Sequence, residues 1–338
     1  MFSRLITVSQ PRPSLQPSTR RRSQLVHVLS GLMTFIRHCG YHARTAMLFT
    51  ASDLKTILLP ISAFACATAP LCSFDRLLRA LIWTWIHQFM CNVSNQARTR
   101  LEDAVNKPWR PLPAGRITER QAFVLRWVTV AAAFGCSALH GGDLMLTTLG
   151  LLLTTFAYDE LGLAGHLIGK SICNIGGYTT LEIGATKLMG ATRDLDNVSA
   201  TAVCISGALI CTTIQAQDFA DVEGDAILGR KTFPIYAPEF SRIATVTAIS
   251  VWSLFLASFW GIGSVCGAIF VVFGSFVGSR FYSLRGPDDD ELSYVLYNVS
   301  KICTIMLVAR STLRALPQVW LTMVHIMPNH ARTGLFTF

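Results

Sequence analysis

The stretch NQARTRLEDAVNKPWRPLPAGRIT, Asn95–Thr118, follows an apolar run and gathers acids, amides, prolines and basic residues into a short space. The rest of the chain is very different, because 51% of its 338 residues are hydrophobic and only 14% are charged. With a mean hydropathy of +0.43, the chain is too apolar for an ordinary soluble domain of this length. We therefore expect a membrane protein in which Asn95–Thr118 is a loop outside the bilayer.

Apolar runs close to the ~20 residues that cross a bilayer recur along the chain. They number about nine, at 54–72, 76–96, 121–139, 143–160, 168–190, 198–217, 240–262, 263–284 and 295–323. Short polar or Gly/Pro breaks separate them, which favours one domain over two. The sequence predicts an all-α integral membrane bundle of about nine transmembrane helices.

The regions that flank this bundle have a different composition. We expect residues 1–50 to be a basic, poorly ordered tail with an interfacial segment, 51–325 the transmembrane domain, and 326–338 a short C-terminal tail. A transit peptide is the alternative for the Arg- and Ser-rich tail. The ten cysteines show no CxxC spacing and are typical of small core residues.

Basic residues cluster in the tail and in the loops 97–120 and 218–239, whereas the connections 140–142 and 261–263 hold none. The positive-inside tendency places the tail and both loops on the cytoplasmic side. An even number of predicted crossings separates the two loops, so they share a membrane face. The net charge of +9 thus falls in particular loops, and we expect neither a nucleic-acid partner nor an obligate protein partner.

The second loop reads QDFADVEGDAILGRKTFPI, Gln217–Ile235. Asp218, Asp221 and Asp225 are spaced three and four residues apart, so a helix continuing from the preceding run would project them from one face. Like charges this close repel unless cations lie among them. An all-oxygen cluster without His or Cys favours Mg²⁺ or Mn²⁺, and Mg²⁺ typically bridges carboxylates to substrate phosphates.

The opening stretch supplies a matching set. Asn95 ends the second run, Glu102 and Asp103 follow, and the cations Lys107 and Arg110 come next. Carboxylates for a metal and cations for oxyanions, at the mouth of an apolar bundle, suit an isoprenoid diphosphate. Solvation alone explains one charged loop, but it explains poorly two acid clusters that share a face.

At these residues the sequence resembles the UbiA-type superfamily of membrane prenyltransferases and cyclases, over nearly the whole chain. The superfamily's first signature is NDxxDxxxD, followed by Asn-Arg/Lys-Pro and Arg-Pro. In this chain Asn95 and Asp103 occupy the two ends of that signature, and NKPWRP follows at the expected place. Its second signature, DxxDxxxD followed by Gly-Arg and Thr-x-Pro, matches Asp218, Asp221, Asp225 and GRKTFP throughout.

The first signature departs from the superfamily pattern, because Gln96 and Thr99 stand where transferases usually carry aspartates. This leaves Asp103, with Glu102 beside it, as the acids of that half, and it puts the standard transfer reaction in doubt. Together with FTASDLKTILLP, Phe49–Pro60, this version is similar to a fungal subgroup that includes membrane-bound sesquiterpene cyclases.

The resemblance implies Mg²⁺ as cofactor and a prenyl diphosphate as substrate, with farnesyl diphosphate favoured. Metal binding is expected at Asn95, Glu102, Asp103, Asp218, Asp221 and Asp225, with Asp103 and the three aspartates of the second loop counted as catalytic. Substrate binding is expected at Asn95, Lys107, Arg110, Lys170, Asn174, Arg230 and Lys231. Lys170 and Asn174 enter because the connection before them returns to the cytoplasmic face.

Two enzyme classes stay open. A cyclase would convert farnesyl diphosphate to a sesquiterpene hydrocarbon, such as one of the bergamotene type, and this is the reading we favour. A UbiA-type prenyltransferase, which passes the prenyl group to an aromatic or lipid acceptor, is the alternative. A transporter would instead place its polar groups at the bilayer midplane. We expect a multi-pass protein of the endoplasmic reticulum whose site faces the cytoplasm.

Three minor expectations concern polar residues elsewhere. Asp288–Glu291 reads as a solvated acidic turn, with a lid over the site as the alternative. His87, inside a run, is typical of a hydrogen-bonded packing residue. Glu182 and Lys187 share a run and are candidates to pair with each other.

Overall fold

The computed structural model describes residues 18–69 and 73–312, which divide into the units Met1–Met47 and Leu48–Phe338. The described residues are helical and contain no strand. The α-helices are α1 (Ser18–Thr50), α2 (Leu59–Thr68), α3 (Phe74–Gln96), α4 (Arg100–Asn106), α5 (Glu119–Ala138), α6 (Gly142–Asp159), α7 (Leu167–Met189), α8 (Asn197–Thr213), α9 (Val222–Ile227), α10 (Phe233–Tyr236), α11 (Pro238–Phe259), α12 (Ser264–Ser283) and α13 (Pro287–Thr312). A π-helix covers Leu54–Leu58, and 3₁₀ turns cover Leu163–Gly165 and Ile214–Gln217.

The all-α prediction is confirmed, and the apolar runs fall on α2, α3, α5, α6, α7, α8, α11, α12 and α13. By length and composition, the described residues contain four helices that could each cross a membrane, and up to five if Val26–Thr50 and Leu54–Thr68 are one broken span. Several other helices, α3 among them, carry buried polar side chains that lower their apolarity. The number nine for the spans therefore stays a prediction.

The first unit contains most of α1, which begins at Ser18 directly after Pro17. Much of the segment that the sequence assigned to a poorly ordered tail and an interfacial segment is thus helical. Residues 1–17 and the predicted tail 326–338 lie outside the described residues.

In the second unit, Trp83 on α3 belongs to the first core cluster and is fully buried. Its Nε1 donates to Ser137 Oγ on α5 (2.8 Å), and its ring stacks on His87. The His87 Nδ1 donates to the Trp83 carbonyl (2.7 Å), and its Nε2 lies 2.8 Å from Thr148 Oγ1 on α6. The expectation that His87 is a hydrogen-bonded packing residue is confirmed.

The second core cluster joins α11, α12 and α13. Arg242 on α11 binds Asp290 through two hydrogen bonds (3.0 and 2.9 Å), and its guanidinium lies 4.3 Å from the centre of the Phe219 ring. Asp290 is 2% exposed and lies in the first turn of α13. The prediction of a solvated acidic turn is wrong at this position, because Asp290 both suits a helix N-terminus and ties α13 to α11.

The predicted pairing of Glu182 with Lys187 is also wrong. Lys187 Nζ lies 3.3 Å from Asp143 Oδ2, and Glu182 accepts a hydrogen bond from Ser206 Oγ (2.6 Å). Residues five apart point to different sides of a helix, unlike residues three or four apart.

The close packing of α3 on α7 yields a prediction, because a Cβ at Gly184 would lie 2.1 Å from the Trp83 ring. Gly184→Ala must displace the fully buried tryptophan, and overpacking of this kind costs about 1–3 kcal/mol. We expect a lower melting temperature of the purified protein in detergent. Gly135→Ala on α5 is the matched control, since nothing lies within 4 Å of its added Cβ. Equal melting temperatures for the two variants would contradict the packing described.

Candidate active site

A cavity of about 360 Å³ lies in the second unit, where both charged loops meet α3, α6, α7 and α13. Both acids and cations line it. The charged side chains that line it are Asp53, Lys55, Glu102, Lys107, Arg110, Asp159, Lys170, Asp218, Asp221, Asp225, Arg230, Asp288 and Glu291, besides three tyrosines. The cavity thus gathers charged groups that are far apart in sequence.

The rest of the wall is uncharged. It is formed by Ile57, Gln88, Cys91, Asn92, Leu151, Thr154, Thr155, Tyr158, Cys173, Gly177, Tyr178, Leu181, Tyr294 and Val295, among others. Of the aromatic residues in the apolar runs, several point outward, with Trp127 54% and Phe259 48% exposed. The cavity therefore has one ionic region and one largely neutral region.

The predicted continuous helix through the second loop is wrong. Helix α8 ends at Thr213, a 3₁₀ turn covers Ile214–Gln217, and the short α9 begins only at Val222. The break separates carboxylates that would otherwise repel along one helical face, and each then has a different nearest cation. All three aspartates still line the same cavity.

The pairing of these aspartates is specific. Lys170 Nζ lies 2.8 Å from Asp218 Oδ1, and Lys107 Nζ lies 2.6 Å from Asp221 Oδ1. Arg230 Nη1 lies 2.8 Å from Asp225 Oδ1. Since Lys170 comes from α7 and Lys107 from the first loop, the aspartates hold three chain segments together. The prediction that the two loops share a face is confirmed.

The first loop presents its two acids differently. Glu102 lines the cavity, and its Oε2 lies 2.7 Å from Arg230 Nη1. Asp103 is 1% exposed, does not appear in the cavity wall, and accepts a hydrogen bond from Arg110 Nη1 (2.7 Å). Arg110 also donates to Ser52 Oγ (2.9 Å). Glu102 is thus the acid that the first loop turns to the cavity, while Asp103 orients Arg110.

Asn106 fastens the two loops to each other. Its Nδ2 donates to the Asp221 carbonyl (3.3 Å), and its Oδ1 accepts from the Gly224 backbone N–H (3.2 Å). A Cβ at Gly224 would lie 2.3 Å from the Asn106 amide, so glycine is needed for this approach. Asn106 was not a candidate from sequence, although its place in NKPWRP was the available signal.

Of the remaining predicted site residues, two line the cavity and one does not. Asn95 lines the cavity, but its Nδ2 donates to Asp159 Oδ1 (3.1 Å), so it orients an acid of α6. Asn174 also lines the cavity and donates from Nδ2 to the Lys170 carbonyl (2.9 Å). Lys231 is exposed and absent from the wall; its backbone N–H donates to the Gly165 carbonyl (3.2 Å). The structure does not bring the Lys231 side chain into the site.

Burial changes the acidity of this cluster. Burial raises the pKa of Asp218 to about 6, against the opposing effect of Lys170. Burial likewise raises the pKa of Glu102 to about 7, against the opposing effect of Arg230. Both carboxyls are therefore easier to protonate than carboxyls in free solution.

The donor set suits a hard divalent cation, because it consists of carboxylate oxygens with no His or Cys. Asp225 Oδ2 is buried and accepts no hydrogen bond, and Lys170 Nζ lies 3.5 Å from it. Within the described ranges no three His, Cys, Asp or Glu side chains converge on one point. Cations lie between the acids instead, so the residues fit Mg²⁺ in chemistry once Lys107, Lys170 and Arg230 have other partners.

Comparison with known proteins identifies the family. Residues 57–302 match the model of the UbiA prenyltransferase family. The chain belongs to that family. This UbiA-family chain is 30% identical over 262 residues to fumagillin beta-trans-bergamotene synthase of Aspergillus fumigatus, covering 75% of the chain and 88% of the relative.

Two further relatives come from Hericium erinaceus. A diterpene cyclase is 27% identical to the UbiA-family chain, over 74% of the chain and 82% of the relative. A polyprenyl transferase is 26% identical, over 74% of the chain and 88% of the relative. These relatives therefore include terpene-forming enzymes and a prenyl transferase.

The fold comparison agrees. A UbiA homologue from Archaeoglobus fulgidus, solved with GPP and Mg²⁺, matches with a TM-score of 0.60 at 16% identity. The match covers 79% of this chain and 99% of the homologue. The UbiA-family chain thus has the fold that the sequence led us to expect.

The different placement of two lysines gives a prediction. Lys170→Gln should weaken binding of inorganic pyrophosphate in the presence of Mg²⁺ by about tenfold or more, because a buried cation of the cavity wall is lost. Lys231→Gln should leave the affinity within about twofold, because that side chain lies outside the wall. Isothermal titration of the purified variants, each checked for its melting temperature, measures both. A larger loss in Lys231→Gln would contradict the placement.

Proposed function

We propose that the protein is a membrane-bound terpene cyclase that ionises farnesyl diphosphate with Mg²⁺ and cyclises it to a sesquiterpene hydrocarbon for secondary metabolism. The observation that carries the proposal is the cavity of about 360 Å³, ionic on one side and mostly neutral on the other. This volume is near the lower end for ligand pockets, which suits one substrate. The relative of the bergamotene type gives further support.

The metal would be held by Glu102, Asp218, Asp221 and Asp225, the carboxylates of the two loops that line the cavity. When bound, Mg²⁺ would neutralise the charge that develops on the departing diphosphate and so assist cleavage of the C1–O bond. In this proposal Asp103 and Asn95 act indirectly, through Arg110 and Asp159 respectively.

The cations would grip the substrate. Lys107, Lys170 and Arg230, which neutralise aspartates in the structure, would turn to the diphosphate oxygens, and Arg110 would assist them. Arginine and lysine bind phosphate through charge-assisted hydrogen bonds. The site would then exchange internal ion pairs for metal–carboxylate and cation–phosphate pairs, with little change of net charge.

The reaction balances without a co-reactant. The C1–O bond breaks, and its electron pair leaves with the diphosphate. Double bonds of the same chain supply the electrons of the new carbon–carbon bonds, and one proton is lost to give the hydrocarbon. A cavity that accepts the chain and excludes water protects the cation, and ring faces such as that of Tyr178 can stabilise it.

A product of the bergamotene type would add a requirement. The trans C2–C3 double bond of farnesyl diphosphate prevents direct closure to a six-membered ring. The allylic cation must therefore be recaptured at C3 by the diphosphate, rotate about the C2–C3 bond, and ionise again. Lys107, Lys170 and Arg230 could retain the diphosphate between the two ionisations.

A UbiA-type prenyltransferase is the second candidate, and a specific feature favours it. A groove of about 810 Å³ lies between α7, α8 and α11 and shares Lys170 and Asp218 with the cavity. Its wall is mostly apolar and includes Phe233, Phe240 and Trp252. An aromatic or lipid acceptor lying there would be close to the diphosphate end of the cavity.

The proposal also includes the membrane setting. We place the protein in the endoplasmic reticulum as a multi-pass protein of about nine spans, with the cavity mouth facing the cytoplasm. The support is the concentration of basic residues in the loops 97–120 and 218–239, which meet at the mouth.

The proposed function predicts that a product forms in the absence of any acceptor substrate. Membranes containing the protein, incubated with farnesyl diphosphate and Mg²⁺, should release a cyclic sesquiterpene hydrocarbon detectable by gas chromatography–mass spectrometry. EDTA should abolish the product, and Asp218→Asn should reduce it by about 10²-fold or more, because a charged group of the ionisation site is lost.

Membranes that lack the protein are the control for solvolysis of the substrate. If farnesyl, geranyl and geranylgeranyl diphosphates all yield no hydrocarbon, while an aromatic or lipid acceptor becomes prenylated, the cyclase proposal is refuted and the transferase takes its place.

A further inference from the structure

The two loops contribute unequally to the cavity wall. The acids that the second loop contributes are Asp218, Asp221 and Asp225, whereas the first loop contributes Glu102 as its one acid in the wall. At the signature positions without an acid, Gln96 donates from Nε2 to the Phe49 carbonyl (2.8 Å), and Thr99 donates to the Asn95 carbonyl (3.2 Å). Neither lines the cavity, so nothing at these two positions replaces a carboxylate.

Four more acids line the cavity from other elements: Asp53, Asp159, Asp288 and Glu291. Two of them already have partners. Asp159 accepts hydrogen bonds from Ser94 Oγ (2.6 Å) and Asn95 Nδ2 (3.1 Å), and Glu291 Oε1 lies 2.7 Å from Lys55 Nζ.

Asp53 differs from the rest. It is only partly exposed, whereas Asp288 is exposed, and its carboxylate makes no hydrogen bond or ion pair with any residue that the structure describes. A carboxylate that loses part of its hydration without a partner is unfavourable. Asp53 is therefore the partly buried acid of this wall whose charge the described chain leaves uncompensated by direct contact.

The backbone holds Asp53 firmly in this place. Its carbonyl accepts hydrogen bonds from the N–H groups of Ile57 (2.8 Å) and Leu58 (3.2 Å), which begin the π-helix Leu54–Leu58. Short π-helical segments occur often at functional sites. Two nearby residues contact other parts of the mouth: Ser52 accepts a hydrogen bond from Arg110, and Lys55 donates one to Glu291.

The charge environment agrees with a position inside the ionic region. Burial alone would lower the pKa of Arg110, but the carboxylates of Asp103 and Asp53 more than offset it, so the pKa is raised. Asp53 therefore lies near the guanidinium that the first loop presents.

We propose that Asp53 supplies a carboxylate to the divalent-metal and diphosphate site, on the side where Gln96 and Thr99 provide none. This inference rests on the proposed function, because it assumes that the cavity binds a metal together with a diphosphate. A second observation concerns Asp225, which lines the cavity and is 1% exposed: its Oδ2 accepts no hydrogen bond, and the nearest cation to that atom, Lys170 Nζ, lies 3.5 Å away. A hard cation with oxygen ligands, Mg²⁺ or Mn²⁺, suits both acids.

The test is a Mn²⁺ titration of the purified full-length protein in detergent with inorganic pyrophosphate, in which electron paramagnetic resonance measures free Mn²⁺. Asp53→Asn should weaken Mn²⁺ binding more than about tenfold. Loss of a residue that only contacts a metal ligand already weakens metal binding by about tenfold or more, and loss of a direct ligand should cost at least as much. Asp53→Glu, which keeps the charge, should recover part of the affinity. Asp289→Asn is the matched control, because Asp289 lies at the same mouth but outside the cavity wall.

The outcomes separate the inference from the proposed function. One outcome refutes the role of Asp53 and leaves the proposed function standing. In that outcome the wild type, Asp289→Asn and Asp53→Asn bind Mn²⁺ with pyrophosphate equally well, and Asp218→Asn does not. If the wild type itself binds no Mn²⁺ with pyrophosphate, both are refuted. Asp53→Asn changes no described contact of the side chain, so its melting temperature should match the wild type, and a large decrease would indicate a structural role instead.

Discussion

The ion pairs between the two loops and α7 are the interactions on which the site depends. Carboxylates of the second loop would repel one another in a partly dehydrated cavity, and Lys107, Lys170 and Arg230 allow them to remain there. The same contacts hold the loops together at the end of an apolar bundle. Removing one partner from such a network leaves an uncompensated charge, which costs more than the pair itself contributes.

The charged groups of these ion pairs can also bind other partners. A buried ion pair is a weak source of stability, so its groups are available to other charged partners of the right geometry. In the proposed function, a diphosphate offers acceptors to the cations while a metal offers charge to the acids. Asn106 and Gly224 keep the loops in register during this exchange, because their contacts involve neutral groups that neither partner would displace.

Much of this arrangement was predictable from the sequence, and the failures have physical causes. Apolar runs and two motifs sufficed for an all-helical fold and for the meeting of the loops. Side-chain directions did not follow: Glu102, not Asp103, faces the cavity, and Lys231 points to solvent although it adjoins Arg230. Spacing suggested one helix through the aspartates, where mutual repulsion and separate cations favour a break. Asp290 looked like a solvated acid because its partner, Arg242, is remote in sequence.

The central claim is that a metal and a diphosphate replace the internal ion pairs of the cavity. The most direct measurement is a structure determined with Mn²⁺ and an unreactive farnesyl thiodiphosphate. We expect Lys107, Lys170 and Arg230 to contact the phosphate oxygens, and Asp218, Asp221 and Asp225 to contact Mn²⁺. A structure in which the ligand lies elsewhere, or in which the three ion pairs persist unchanged beside it, would contradict the account.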